Sequence, residues 1–209
     1  HMHKILTFDS EADWLAWRAE GIGASDVPSI MGEGFSTPYE LWKQKLGITE
    51  KRTSEAMNLG KKHEADAVAA LEMLMFDRKG IFDQQVAMQS DEYPFLRCTL
   101  DGRHVDTNTI GEVKSIKGAA KKIHRVIPKK YYGQVQMQLF ISGAMQCVYA
   151  EYDIDEKTIW RDVVSSNRAY QKKMIRACEA FWHCMKNETP PKLTQKEWAE
   201  SSSEGGRVP

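Results

Sequence analysis

Asp101, Glu112 and Lys114 are the residues whose types and spacing most directly suggest chemistry. They lie in Leu100-Asp101-Gly102 and Gly111-Glu112-Val113-Lys114-Ser115, short segments that read as strands. Side chains alternate faces along a strand, so Glu112 and Lys114 share one face while Val113 points to the other. Asp101, read as a strand end before a turn glycine, can reach the same place. Two carboxylates at one point repel unless one is protonated or a cation neutralises both. A hard divalent ion such as Mg²⁺ takes oxygen ligands and removes that repulsion, and the Val113 carbonyl could add a further oxygen. Alone, such a triplet is common and could be a surface ion pair worth ~0–1 kcal/mol.

Three companions raise its weight. Glu64, in Gly60-Lys61-Lys62-His63-Glu64, lies on the helical face of Val68, Leu71 and Met75. A carboxylate closing an apolar stripe needs a partner if it is buried, and a metal centre would be one. In Tyr131-Tyr132-Gly133-Gln134-Val135-Gln136-Met137-Gln138, residues Tyr131, Gln134 and Gln138 share a helix face. Uncharged amides there can hold a phosphate or position a water without competing for a metal, although glutamine is also simply a good helix former. Arg18 and Ser25 flank the turn Gly21-Ile22-Gly23. A hydroxyl at a helix N-terminus and an arginine suit a phosphate, while a capped helix with a surface arginine is the plainer alternative.

The elements that must position these groups can be read around them. Ser10 caps a first helix carrying Trp14, Leu15 and Trp17, and Ser25-Asp26 caps a short one from Val27 to Met31. Thr37-Pro38 opens a third helix that ends at Gly47, and a long helix is expected from Thr53 to Phe76. Strands are expected at Ile81–Met88, Phe95–Leu100, Arg103–Val105 and Ile110–Ile116. Pro128 opens a helix to Ser142, Met145–Ile154 and Thr158–Val164 form a hairpin, and Asn167 starts the last long helix. This pattern predicts an α/β (α+β) fold, a central mixed sheet flanked by helices. Residues 1–190 form a single domain, with helices over 10–76, a sheet core over 81–164 and a helix over 167–187. Residues 191–209 make a flexible tail, apart from one short helix after Pro190-Pro191.

Composition bounds the function. The chain of 209 residues has 29 Lys+Arg and 29 Asp+Glu, so an evenly basic, DNA-coating surface is excluded. The charge is unevenly spread: from Val113 to Ala150 there is no Asp or Glu, while Lys114, Lys117, Lys121, Lys122, Arg125, Lys129 and Lys130 all fall there. Lys117 to Lys130 reads as a basic loop or arm able to follow a phosphate backbone. Cys98, Cys147, Cys178 and Cys184 form no C-x-x-C pair, which favours reduced thiols over a disulfide framework or a metal cluster. No apolar run reaches the ~20 residues of a membrane span. With no signal peptide in view, a cytoplasmic protein is expected.

Taken in order, Arg18 through Gly32, Gly60 to Glu64, Leu100 to Gly102, Glu112 to Ser115 and Tyr132 to Gln138 resemble the phage-lambda-type exonucleases, or YqaJ-like viral recombinase nucleases. That family belongs to the PD-(D/E)xK superfamily, with a restriction-endonuclease-like core. Leu100 stands where the superfamily name places proline. The resemblance implies Mg²⁺-dependent 5′-to-3′ digestion of double-stranded DNA to 5′-mononucleotides, leaving a 3′ single strand for annealing-type recombination. It implies two Mg²⁺ ions, replaceable by Mn²⁺, held by Asp101, Glu112 and the Val113 carbonyl with Glu64 at the edge. Lys114 would be the catalytic lysine, as base or as electrostatic stabiliser. Gln134 would touch the attacked water or phosphate. Arg18, Ser25 and Thr99 would hold the terminal 5′-phosphate, with Lys117, Lys121, Lys122 and Arg125 along the DNA. A ring-shaped homotrimer, a single-strand annealing partner and a phage or prophage origin are implied too. An endonuclease of the same superfamily, or a silent DNA-binding module on this fold, are the alternatives.

Overall fold

A computed structural model of the chain describes residues 3–51, 53–195 and 197–199. Six helices surround a seven-stranded mixed sheet among these residues: β1 (His3–Leu6), α1 (Glu11–Ala19), β2 (Ile22–Gly23), α2 (Val27–Ile30), α3 (Pro38–Lys45), α4 (Glu55–Phe76), β3 (Asp83–Ser90), β4 (Leu96–His104), β5 (Thr109–Ile116), α5 (Lys129–Ser142), β6 (Gln146–Asp153), β7 (Ile159–Ser165) and α6 (Arg168–Lys186). The strand order is β1-β3-β4-β5-β6-β7, with the two-residue β2 pairing β4. Neighbours on this path are antiparallel except β5 and β6. A parallel pair needs a long crossover, and α5 supplies it.

The helix starts follow the capping residues. Ser10, Thr37, Ser54 and Asn167 each accept a backbone N–H three residues on. Asp26 departs from the expected role: it makes no side-chain cap on α2. Its carboxylate instead accepts the Gly23 N–H and the Lys45 ammonium, which pins the turn after α1. Two strands escaped the pattern reading, β1 and β2, being four and two residues long.

Gly102 also differs from expectation. It lies inside β4, which runs unbroken through the two segments read as separate strands. A Cβ at this position would stand 2.8 Å from the Phe82 ring. The glycine is therefore a site of close packing rather than a turn.

The sheet has a core on each face. On one side Val68 and Leu71 of α4, with Met75 beside them, pack on Phe82, Val113, Val148 and Ala150. The larger core gathers α2, α5 and α6 around Met88, Leu96, Ile110 and Tyr149. Nine residues of α5 are buried, three of them glutamines.

At the chain end the short helix expected after Pro190-Pro191 is present, with residues 195 and 197–199 helical and the Trp198 N–H donating to the Thr194 carbonyl. Thr194 and Glu197 cap each other, and Glu197 also accepts the Thr37 hydroxyl at the start of α3. The Ser/Gly-rich stretch beyond, 200–209, lies outside the described residues. Among the described residues no helix is long and apolar enough to cross a membrane.

Candidate active site

Register places the acidic residues. Glu112 and Lys114 of β5 pair with Tyr149 and Glu151 of β6, so all four project from one face. Tyr131 of α5 stacks on Tyr149, which identifies that face as the one covered by α5. Asp101, on the neighbouring strand β4, accepts the Val113 N–H through Oδ2 at 2.9 Å. The expected convergence of Asp101, Glu112 and Lys114 is thus present.

Gln134 ties the group together. Its Nε2 donates to Glu112 Oε1 at 2.9 Å, and its Oε1 accepts from Lys114 Nζ at 2.9 Å. Lys114 Nζ stands 3.7 Å from the same Glu112 oxygen and 4.6 Å from the Tyr131 ring centre. Gln134, expected to touch water or phosphate, has both ends of its amide on the two charged groups in this structure.

The carboxylates remain under-compensated. Glu112 is only 4% exposed, and no donor among the described residues reaches its Oε2. Burial and the Glu112 carboxylate push Asp101 well above the usual range. Glu64 reaches Asp101 from α4, and burial together with that neighbour raises it to about 7. Glu64 also accepts from Gln85 Nε2 at 2.7 Å. Leaving a buried acceptor unpaired costs ~1–3 kcal/mol, more when it is charged.

This donor set fits a hard divalent cation: carboxylate oxygens, one of them buried without a donor, next to carboxyls that resist ionisation together. A ready cage of three ligand side chains is not present among the described residues. Val113, Gln134 and Gln85 hold the oxygens in its place.

Beside the acids opens a cavity of about 190 Å³, whose lining includes Trp14, Arg18, Ser25, Thr99, Gln134 and Gln138. Arg18 Nη2 donates to Ser25 Oγ at 3.2 Å, and Trp14 Nε1 donates to Thr99 Oγ1 at 3.0 Å. The expected trio of Arg18, Ser25 and Thr99 therefore meets in one pocket, next to Asp101 and Glu112.

Arg97 was missed by sequence reading. It is buried, donates to the Trp17 and Pro94 carbonyls, and so closes the C-terminal end of α1 where Arg18 sits. Gly21 is what admits it, since a Cβ there would lie 2.4 Å from Arg97 Nε. The only hint in the sequence is an arginine between the apolar residues Leu96 and Cys98.

The basic segment is not a free arm. Ala120 N–H donates to Asp153, Ile127 N–H to Asp162, and the Trp160 indole to the Ala119 carbonyl. Lys122 is paired with the fully buried Glu151, which also accepts the Tyr149 hydroxyl. Arg125 donates to the Ala120 carbonyl. Of the four cations assigned to DNA, Lys122 is held by a buried carboxylate, while Lys117, Lys121 and Arg125 are exposed, Arg125 with one guanidinium nitrogen on a backbone carbonyl. The acids that tether the segment come from β6 and β7, so a charge count along the segment alone could not see them.

Comparison with known proteins agrees with this architecture. A sequence model of the YqaJ-like viral recombinase domain matches residues 13–145. The uncharacterised protein YqaJ of Bacillus subtilis (strain 168) is 29% identical over 191 residues, which is 86% of this chain and 59% of that protein. The chain thus spans about three-fifths of the curated relative it matches. The crystal structure of an alkaline exonuclease from Laribacter hongkongensis superposes with a TM-score of 0.67 at 20% identity, covering 93% of this chain and 98% of that one. A phage-related exonuclease from Haemophilus somnus 129PT gives 0.56 at 14% identity, covering 80% and 96%. At such identities the likeness establishes the fold.

Proposed function

The chain belongs to the YqaJ-like viral recombinase family, and from that premise we propose that it is a divalent-metal-dependent exonuclease digesting linear double-stranded DNA from a 5′-phosphorylated end. The observation that carries this reading is the crowding of Asp101, Glu64 and Glu112, with Glu112 Oε2 buried and without a donor among the described residues. The exonuclease names of its structural neighbours support it.

Asp101, Glu112 and the Val113 carbonyl would hold the metal, with Glu64 at its edge. Mg²⁺ bound there would lower the pKa of a coordinated water and act as a Lewis acid toward the phosphoryl group. Lys114 Nζ, held between an amide oxygen and a carboxylate, is an ammonium positioned to offset charge that builds on the phosphate. Gln134 fixes the orientation of both Lys114 and Glu112. Arg18, Ser25 and Thr99 line the same recess as Asp101 and Glu112, which suits the 5′-terminal phosphate of the strand being digested. Digestion would release 5′-mononucleotides and leave a 3′ single strand. Assembly into a homotrimeric ring and cooperation with a single-strand annealing protein in the cytoplasm belong to the same proposal.

The test is a duplex labelled separately at its 5′ and 3′ ends, offered with Mg²⁺, with chelator, and beside a covalently closed circle. Early loss of the 5′ label, only with metal and only from linear DNA, is the expected result. Cleavage of the closed circle would replace this reading with an endonuclease, and metal-independent digestion would remove the site assignment.

A further inference from the structure

Three glutamines of α5 are buried: Gln134, Gln136 and Gln138. Gln134 is paired at both ends of its amide. Gln136 donates to the Ser165 carbonyl and accepts from the Asn167 N–H and the Gln171 amide. Gln138 is 0% exposed, and neither its Nε2 nor its Oε1 has a partner among the described residues. It lines the cavity that also holds Arg18, Ser25 and Thr99.

The fold does not need an amide at this place. A methionine or leucine would fill the volume without an unmet donor and acceptor, so the polar group lowers stability. Residues that reduce stability in this way mark functional surfaces. Gln138 lies one helical turn beyond Gln134, on the same face of α5. Gln134 holds Glu112 and Lys114, and Gln138 borders the adjoining recess.

We propose that Gln138 is a specificity-determining residue of this pocket, donating its Nε2–H to an oxygen of the DNA strand's terminal phosphate monoester. This deepens the end-recognition reading above and rests on it. Arg18 supplies charge, which any anion can use. The amide supplies a directed donor at the back of the recess, and its Oε1 accepts from a water that enters with the phosphate. A 5′-hydroxyl end does not reach this donor, so the amide separates the two kinds of end.

The experiment measures initial digestion rates with Mg²⁺ on matched linear duplexes carrying 5′-phosphate or 5′-hydroxyl ends. It compares wild type, Gln138→Met, Gln138→Glu and Arg18→Ala, with a thermal melt of each protein. Gln138→Met is expected to lower the phosphate-to-hydroxyl rate ratio about tenfold, the size of one hydrogen bond to a charged group, with a melting temperature no lower than wild type. Gln138→Glu is expected to lower the ratio further, because a carboxylate repels the phosphate. An unchanged ratio in both Gln138 variants overturns the proposal. So does a Gln138→Met protein that is unfolded or less stable and equally slow on both ends, since the amide would then serve the fold. Arg18→Ala separates the two levels: if it collapses the ratio while the Gln138 variants keep it, only this inference fails. If Arg18→Ala also keeps the ratio, or wild type shows no preference, the end-recognition pocket itself is wrong.

Discussion

Glu112 on β5 and Glu151 on β6 are carboxylates buried on the same face of one sheet, and the fold treats them in opposite ways. Glu151 accepts from the Tyr149 hydroxyl and is paired with Lys122, whose ammonium also lies over the Trp160 ring. Glu112 shares one oxygen between Gln134 and the more distant Lys114, keeps the other without a donor among the described residues, and faces Asp101. A buried charge is tolerable when its partners are built in. Where they are withheld, an external cation could supply the missing charge, which is the role proposed above for a metal at Glu112. The contrast separates a carboxylate that tethers the basic segment from one suited to hold a metal.

The largest effect should come from replacing a member of the uncompensated group. Asp101→Asn can still accept the Val113 N–H but removes the charge, so Mg²⁺-dependent digestion should fall by about a thousandfold or more. Its metal-free melting temperature should equal or exceed wild type, because crowding with Glu112 is relieved. Wild-type-like activity in folded Asp101→Asn would erase the distinction between the two carboxylates.

Breaking the compensated pair should act on stability instead. Lys122→Met leaves Glu151 buried without its cation. Complete burial would make that cost 3–5 kcal/mol, but the Lys122 side chain is 36% exposed, so we expect about 2 kcal/mol in urea unfolding. Digestion per folded molecule should change little. A large activity loss at unchanged stability would return Lys122 to the DNA-contacting role that the sequence suggested.

A smaller, pH-dependent effect sharpens the comparison. Glu64 is raised from 4.5 to about 7, and Asp101 is raised too. The metal-free fold therefore favours the protonated forms. That contribution is complete below about pH 4.5 and is lost as pH rises through 7. Melting temperature without metal should decline across this window, and saturating Mg²⁺ should flatten the decline. A metal-free protein that grows more stable from pH 5 to pH 8 would speak against the crowding of these carboxyls.

Much of this site was readable from the sequence because its signals are local. Alternation along β5 puts Glu112 and Lys114 on one face, and helical spacing aligns Glu64 with Val68 and Leu71. Caps such as Ser10 and Thr37 act within four residues. What the sequence hid depends on contacts between distant segments. Lys122 looked free because Glu151 belongs to another strand. Gly102 looked like a turn because Phe82, which needs the space, lies twenty residues earlier. Arg97 gains its role only when β4 meets the end of α1. The unpaired state of Gln138 is invisible in a helix where every glutamine has the same propensity.

The most direct test is a melt of wild type and Glu112→Gln at pH 8 with and without Mn²⁺. At a hundred times the dissociation constant, binding adds about 2.7 kcal/mol, or roughly 5–10 °C for a domain of this size. Wild type should gain that shift and Glu112→Gln should lose most of it. Equal shifts in the two proteins, or none in wild type, would contradict the assignment of this uncompensated carboxylate to a metal.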